Sequence, residues 1–103
     1  MYSSTIENEC LVVKLIGQID NLSFISALYN EKASHLILNL LEFDCSDIHL
    51  FTKFAKFGKK LVGDNSFVIV STEHTNSDWM PVPTLQEAFD IVELENIERQ
   101  LNQ

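Results

Sequence analysis

The stretch from residue 35 to residue 61 constrains the fold of this chain more than any other. It starts with an apolar run, HLILNL, passes through an acidic turn, LEFDCSD, and continues with helical spacing in IHLFTKFAKFGKKL. This order predicts a buried strand followed almost at once by a helix. In open α/β sheets, ligands bind at the carboxyl ends of strands, where the amides of the next helix point outward. Residues 44–47 are therefore the first candidates for a functional site.

Two other runs rich in Val, Ile and Leu are predicted to be strands, CLVVKLIG at residues 10–17 and SFVIVS at residues 66–71. The second run is short and continuously apolar, which is typical of a central, parallel strand. Residues 2–6 are predicted to pair with the first run across a turn at residues 7–9. A short helix is predicted over residues 21–29, where the apolar residues have partial helical spacing.

The main helix is predicted over residues 46–61, with apolar side chains inward and lysines outward. Its predicted inward residues are Ile48, Phe51, Phe54, Ala55 and Leu61. The lysines are Lys53, Lys56, Lys59 and Lys60, four of the seven basic residues of the chain. Two interpretations of them stay open. They form either a solvated helix face, favoured by the helix dipole near its C-terminus, or a docking patch for an acidic partner.

The C-terminal part is predicted to be an extended segment followed by a helix. Residues 80–83 are predicted to be extended, because Pro83 disfavours a helical conformation at the preceding residue. The helix is predicted to begin at Thr84, since Thr84 and Glu87 have the spacing of a capping box, and to continue to Leu101. Its predicted inward residues are Leu85, Ala88, Phe89 and Val92.

Together these elements predict one α/β domain over residues 1–103, with a mixed sheet of four to five strands and helices packed on it. The net charge of −8 argues against a nucleic-acid or anionic-membrane surface. No apolar run has the length that membrane insertion needs, and the first residues lack the apolar segment of a signal peptide. A cytoplasmic location with free thiols is expected. The spacing of the histidines, cysteines and glycines predicts no metal and no cofactor.

Four segments of the sequence resemble those of one known domain family. They are LVVKLIGQID at residues 11–20, HLILNLLEFDCSD at 35–47, SFVIV at 66–70, and PTLQEAFDIVELENIERQL at 83–101. The second is similar to an apolar strand followed by Phe-x-Asp-Ser-Ser-Gly. By these segments the chain resembles the STAS domain, which sulfate transporters and bacterial anti-sigma factor antagonists share. The resemblance covers most of the chain and implies a STAS-like sandwich.

The resemblance also implies a function without catalysis. Stand-alone family members bind a partner serine kinase that is also an anti-sigma factor, and that kinase phosphorylates a residue at the start of the central helix. Carried over by position, Asp44 matches the family's aspartate, Cys45 its first hydroxyl residue and Ser46 the phosphoacceptor. Asp47 stands where the family has glycine, and its charge either repels a phosphate or substitutes for one. The implied binding residues are Asp44, Cys45, Ser46, Asp47, His49 and Lys53.

Other interpretations of the same residues stay open. Ser46 is alternatively the helix N-cap, with Asp47 as a favourable acidic residue of the first turn, and the flanking carboxylates favour this interpretation. Cys45 is either a redox-sensitive thiol or a small buried residue. The whole chain is alternatively a STAS-like accessory subunit of a transport assembly, or a small hydrolase that uses Asp44 and Asp47. Trp79 is either a cover over the end of the sheet or a partner anchor. The sequence leaves the oligomeric state open.

Overall fold

Four strands form one mixed sheet in the computed structural model, which describes residues 2–17, 22–29, 33–44, 46–74 and 77–102. The elements in chain order are β1 (Tyr2–Glu7), β2 (Cys10–Leu15), α1 (Ser23–Leu28), β3 (His35–Asn39), α2 (Ile48–Val62), β4 (Phe67–Val70) and α3 (Leu85–Leu101). Strand β1 is antiparallel to β2, whereas β2, β3 and β4 are parallel to one another. Parallel neighbours need crossover connections, and α1 and α2 supply them. The predicted α/β class with a mixed sheet is confirmed.

The place predicted for the last strand is wrong in one respect. Strand β4 is parallel, as predicted, but it is the last strand in the order β1-β2-β3-β4 and not a central one. Beyond it, Val82 forms only an isolated parallel bridge with Val70. Its N–H donates to the Ile69 carbonyl at 3.0 Å, and the flanking Pro81 and Pro83 have no N–H to extend the ladder. The sheet therefore has four strands in the described part of the chain.

Helices cover both faces of the sheet. Alternate residues of a strand point to opposite faces, so each strand contributes to two cores. Under α1 and α2, the strands contribute Leu11, Val13, Leu15, Leu36, Leu38 and Ile69. Under α3, they contribute Cys10, Val12, Ile37, Val68 and Val70. The central strands are buried on both faces, which explains why their sequences are continuous apolar runs.

Helix α2 begins two residues later than predicted and presents a partly different inward face. Phe51, Phe54 and Ala55 are buried as predicted, together with Gly58 and Val62. Leu61 is only half-buried. Ile48, predicted to be inward, is exposed, because it lies in the first turn and lines a groove with Trp79 instead of packing on the strands. The lysines of α2 are exposed as predicted.

The ends of α1 and α3 agree with the sequence to different degrees. Helix α1 is shorter than the predicted residues 21–29, and residue 21 lies outside the described residues. Helix α3 is capped by Thr84, whose Oγ1 accepts a hydrogen bond from the Glu87 N–H at 3.2 Å. Of its predicted inward residues, Ala88 and Val92 are buried and Leu85 and Phe89 are half-buried.

A buried histidine joins the amino ends of β3 and β4. His35 is 3% exposed, and its Nδ1 accepts a hydrogen bond from the Ser66 N–H at 3.0 Å. Arg99 of α3 donates to Ser66 Oγ at 2.9 Å, which ties α3 to the same point. Burial, followed by the charge of Arg99, lowers the pKa of His35. The fold therefore holds this imidazole neutral.

We expect His35 to make the fold less stable in acid. Its folded-state pKa is lower than its ordinary value of about 6.5, so the unfolded chain binds the proton more readily and stability falls as pH falls below about 6.5. In the variant His35→Asn, Oδ1 can accept the Ser66 N–H but does not titrate. Urea melts between about pH 5 and 8 should show a steeper acid loss for the wild type than for this variant. The exposed His49, changed to Asn, is the matched control; parallel curves for wild type and His35→Asn would contradict the assignment.

Candidate functional site

The acidic turn after β3 is fixed at its root by the core. Phe43 is buried, and its ring lies 5.5 Å from the ring of Phe54 of α2, centroid to centroid. Its backbone forms a parallel bridge with Gly17, just beyond the end of β2. The Phe43 N–H also donates to the Leu40 carbonyl at 3.2 Å. Asp44 therefore follows a buried residue that is packed into the core at the carboxyl edge of the sheet.

Two aspartates of the turn hold its backbone. Asp44 Oδ1 accepts a hydrogen bond from the Ser46 N–H at 3.2 Å. Asp47 Oδ1 accepts one from the His49 N–H at 2.8 Å, in the first turn of α2. Both bonds link a side chain to the backbone two residues further along the chain, which is the usual way in which aspartate stabilises a turn. The described side chains of the turn, Asp44, Ser46 and Asp47, are exposed.

Asp47, and not Ser46, is the N-cap of α2. The alternative in which Ser46 caps the helix and Asp47 lies in the first turn is therefore wrong. Aspartate and serine are about equally good N-caps, so propensity alone did not decide between them. Ser46 precedes the cap and is exposed. Cys45, which matches the first hydroxyl residue of the family pattern, lies outside the described residues.

Beyond the acidic turn, the outer face of α2 carries basic side chains. His49 and Lys53 are exposed and stand one helical turn apart, so they share a face. Lys56 and Lys60 extend the same face toward the C-terminus of the helix. Helix α2 contains no acidic residue. We call Asp44, Ser46, Asp47, His49 and Lys53 the turn–helix surface; its acidic end is the turn and its basic end is the helix.

A groove lies beside this surface. It has a volume of about 450 Å³ and is lined by Ile48, Thr52, Lys56, Ser77, Asp78 and Trp79. Trp79 is half-buried and packs against the core under α2, and it also borders this groove; its interpretation as a partner anchor stays a prediction. The sequence did not reveal the groove because its two walls come from separate segments of the chain.

Two other reactive side chains, His35 and Cys10, lie away from the turn. His35 lies at the amino end of β3, whereas the turn follows its carboxyl end. Cys10 is buried in β2, and burial followed by the charges of Glu9 and Glu7 raises the pKa of its thiol to about 11. This thiol is therefore protonated and unreactive at neutral pH. Among the described residues, no group of three or more His, Cys, Asp or Glu side chains could hold a metal ion.

No described helix combines the length and the apolar character that crossing a membrane requires. Comparisons with protein-family models, with curated proteins and with solved structures each found no match to this chain. The class that the fold defines is a mixed α/β sandwich with an anchored, exposed turn between a strand and a helix.

Proposed function

We propose that this chain is a non-catalytic, STAS-like regulatory module that binds a partner protein in the cytoplasm through its turn–helix surface. The partner class that the sequence resemblance implies is a serine kinase acting as an anti-sigma factor. Phosphorylation of Ser46 is the proposed switch of this binding. The proposal rests on the resemblance of residues 35–47 to the family pattern and on the geometry of the turn.

One observation carries the proposal: Asp44, Ser46 and Asp47 are exposed, and both aspartates hydrogen-bond to the backbone beside them. Phe43 is buried on one side of the turn, and Asp47 caps α2 on the other. Ordered polar side chains bind a partner with little additional loss of conformational entropy, because the backbone that bears them is already fixed. An exposed segment held in this way favours recognition.

The charge pattern defines what a partner must present. The turn is acidic and the adjoining helix face is basic, so a partner surface with basic groups opposite the turn and acidic groups opposite α2 fits it. Such complementarity selects partners and sets their orientation more than it raises affinity.

A phosphate on Ser46 would change this surface strongly. It would add close to two negative charges between two aspartates at the start of a helix. Because Asp47 Oδ1 already accepts the His49 N–H, a phosphate on Ser46 would have to compete for that helix-start amide. The phosphate would also be repelled by Asp44 and Asp47, so we expect the modification to weaken partner binding by changing the shape of the turn.

The first experiment identifies the partner. Affinity capture of the chain from its native host, followed by mass spectrometry, distinguishes a serine kinase, which supports the proposal, from a transport assembly, which supports the accessory-subunit alternative. Recovery of a substrate-processing enzyme complex would overturn both.

Variants of the turn then test the site with the captured partner. Ser46→Asp is expected to weaken binding about tenfold or more, equivalent to about 1.4 kcal/mol, and Ser46→Ala to preserve it. If Asp47 already supplies the charge, Asp47→Gly should change binding more than either Ser46 variant. Asp47→Asn is the matched control, because it retains an acceptor for the His49 N–H while removing the charge. Unchanged affinity for every variant by calorimetry would reduce the turn to a helix cap.

A further inference from the structure

Helix α3 carries an apolar stripe that points away from the sheet. Leu94, Ile97 and Leu101 are 60%, 46% and 79% exposed. Their spacing places them together on one side of the helix, roughly opposite the buried Ala88 and Val92. A helix that only covered a sheet would be polar on its outer side, so this stripe indicates a contact beyond the described fold.

The two faces of the molecule have opposite charges. Helix α3 contains five acidic residues and one arginine, whereas α2 contains four lysines and no acidic residue. The two helices cover opposite faces of the sheet. The acidic residues Asp90, Glu93 and Glu98 are exposed next to the apolar stripe. The α3 face is therefore apolar with an acidic border.

The opposite face has a matching feature. A groove between α1 and α2 is lined by Ser26, Phe57, Lys60 and Leu61. Phe57 and Leu61 are half-buried, and Lys60 is exposed beside them. Lys53 is also exposed and stands one turn back from Phe57 on the same side of α2. This face is apolar with a basic border.

We propose that the α3 face of one molecule docks on the α1–α2 groove of a second copy. Apolar residues then meet apolar residues, and the acidic border of α3 meets the lysines of α2. Because the two surfaces lie on opposite faces of the same sheet, each molecule keeps one surface free. The contact is heterologous and leads to open chains instead of a closed dimer.

Charge selects this arrangement over a symmetric one. A contact of α3 with α3 would also bury the apolar stripe, but it would bring two sets of acidic residues together, in a molecule with a net charge of −8. Like charges placed opposite each other at an interface disfavour it.

The first test is sedimentation of the wild-type chain at increasing concentration. The average mass should rise continuously past that of a dimer, and the association should weaken when salt is raised from about 0.05 M to about 0.5 M. A monomer at every concentration up to about 1 mM, where even weak contacts form, would overturn the proposal.

Two complementary variants test the direction of the contact. Lys53→Glu/Lys60→Glu reverses the charge beside the α1–α2 groove, and Leu94→Gln/Ile97→Gln removes the apolar stripe but keeps good helix formers. Each variant alone should be monomeric, and an equimolar mixture should form dimers and nothing larger. Lys59→Glu is the matched control, since Lys59 lies about 160° around the helix from Phe57 and should leave association unchanged.

The remaining outcomes are decisive too. If the lysine variant still associates while the stripe variant does not, the contact is a symmetric one between α3 helices, and the proposal is wrong. If Lys59→Glu weakens association as much as the double lysine variant, only the overall charge matters and the groove is not the docking site. Circular dichroism and urea melts check that each variant is folded.

Discussion

Replacing Phe51 by alanine is expected to lower the free energy of unfolding by about 3–5 kcal/mol. The side chain is 0% exposed and lies near the start of α2, with its ring 4.9 Å from that of His74. The loss is a large share of the roughly 5–15 kcal/mol that a small domain has. Phe54→Ala should cost a similar amount and also loosen the acidic turn, because the Phe54 ring packs against Phe43.

Urea denaturation followed by circular dichroism measures both losses. Phe57→Ala on the same helix is the matched control, because Phe57 is only half-buried and should cost less. If Phe51→Ala and Phe54→Ala both cost below about 1 kcal/mol, the orientation of α2 on the sheet is wrong.

The second large effect is expected at Gly58. A Cβ at this position would overlap the ring of Phe67 in β4. Gly58→Ala should therefore destabilise the fold by about 1–3 kcal/mol through overpacking. Helix propensity alone predicts the opposite change in stability, because it favours alanine over glycine by up to about 1 kcal/mol. The close approach of α2 to β4 decides the outcome.

A double-mutant cycle isolates the cause. In a Phe67→Ala background the ring is absent, so Gly58→Ala should become neutral or stabilise by up to about 1 kcal/mol. The same loss in both backgrounds would mean that the destabilisation does not come from the Phe67 ring.

The order of strands and helices could be predicted because it is encoded locally. Residues 10–17, 35–40 and 66–71 are short apolar runs, and the helical segments between them have a different period. A strand buried on both faces needs a continuous apolar sequence, so these runs predicted parallel strands joined by crossover helices. The capping box at Thr84 likewise marks a helix start through two residues close in sequence.

Features that depend on distant contacts could not be predicted in the same way. The edge position of β4 is set by which segment lies beyond it, and Val82 between two prolines can form only a bridge. Helix propensity disfavours glycine at position 58, whereas in the structure Gly58 leaves room for the ring of Phe67. The N-cap of α2 could not be predicted for another reason: Ser46 and Asp47 are adjacent, and serine and aspartate are about equally good N-caps.

The candidate site likewise has a part that could be predicted from the sequence and a part that could not. The sequence places Asp44, Ser46 and Asp47 at the carboxyl end of a strand, and the structure keeps them there, exposed. The buried root at Phe43 and the groove beside Trp79 arise from contacts between segments far apart in the chain. Periodicity cannot report such contacts.

The prolines on either side of Val82 also affect what the molecule does in a crowded solution. A free sheet edge presents a row of donors and acceptors on which another chain can build a strand. Here Val82 pairs with the outer side of β4 and has an N–H, whereas its neighbours Pro81 and Pro83 have none. The backbone hydrogen bonding on this side is therefore limited to Val82, and a foreign strand cannot continue it at Pro81 or Pro83. Pro81 and Pro83 thus protect this edge against aggregation, and they do so without adding a charge.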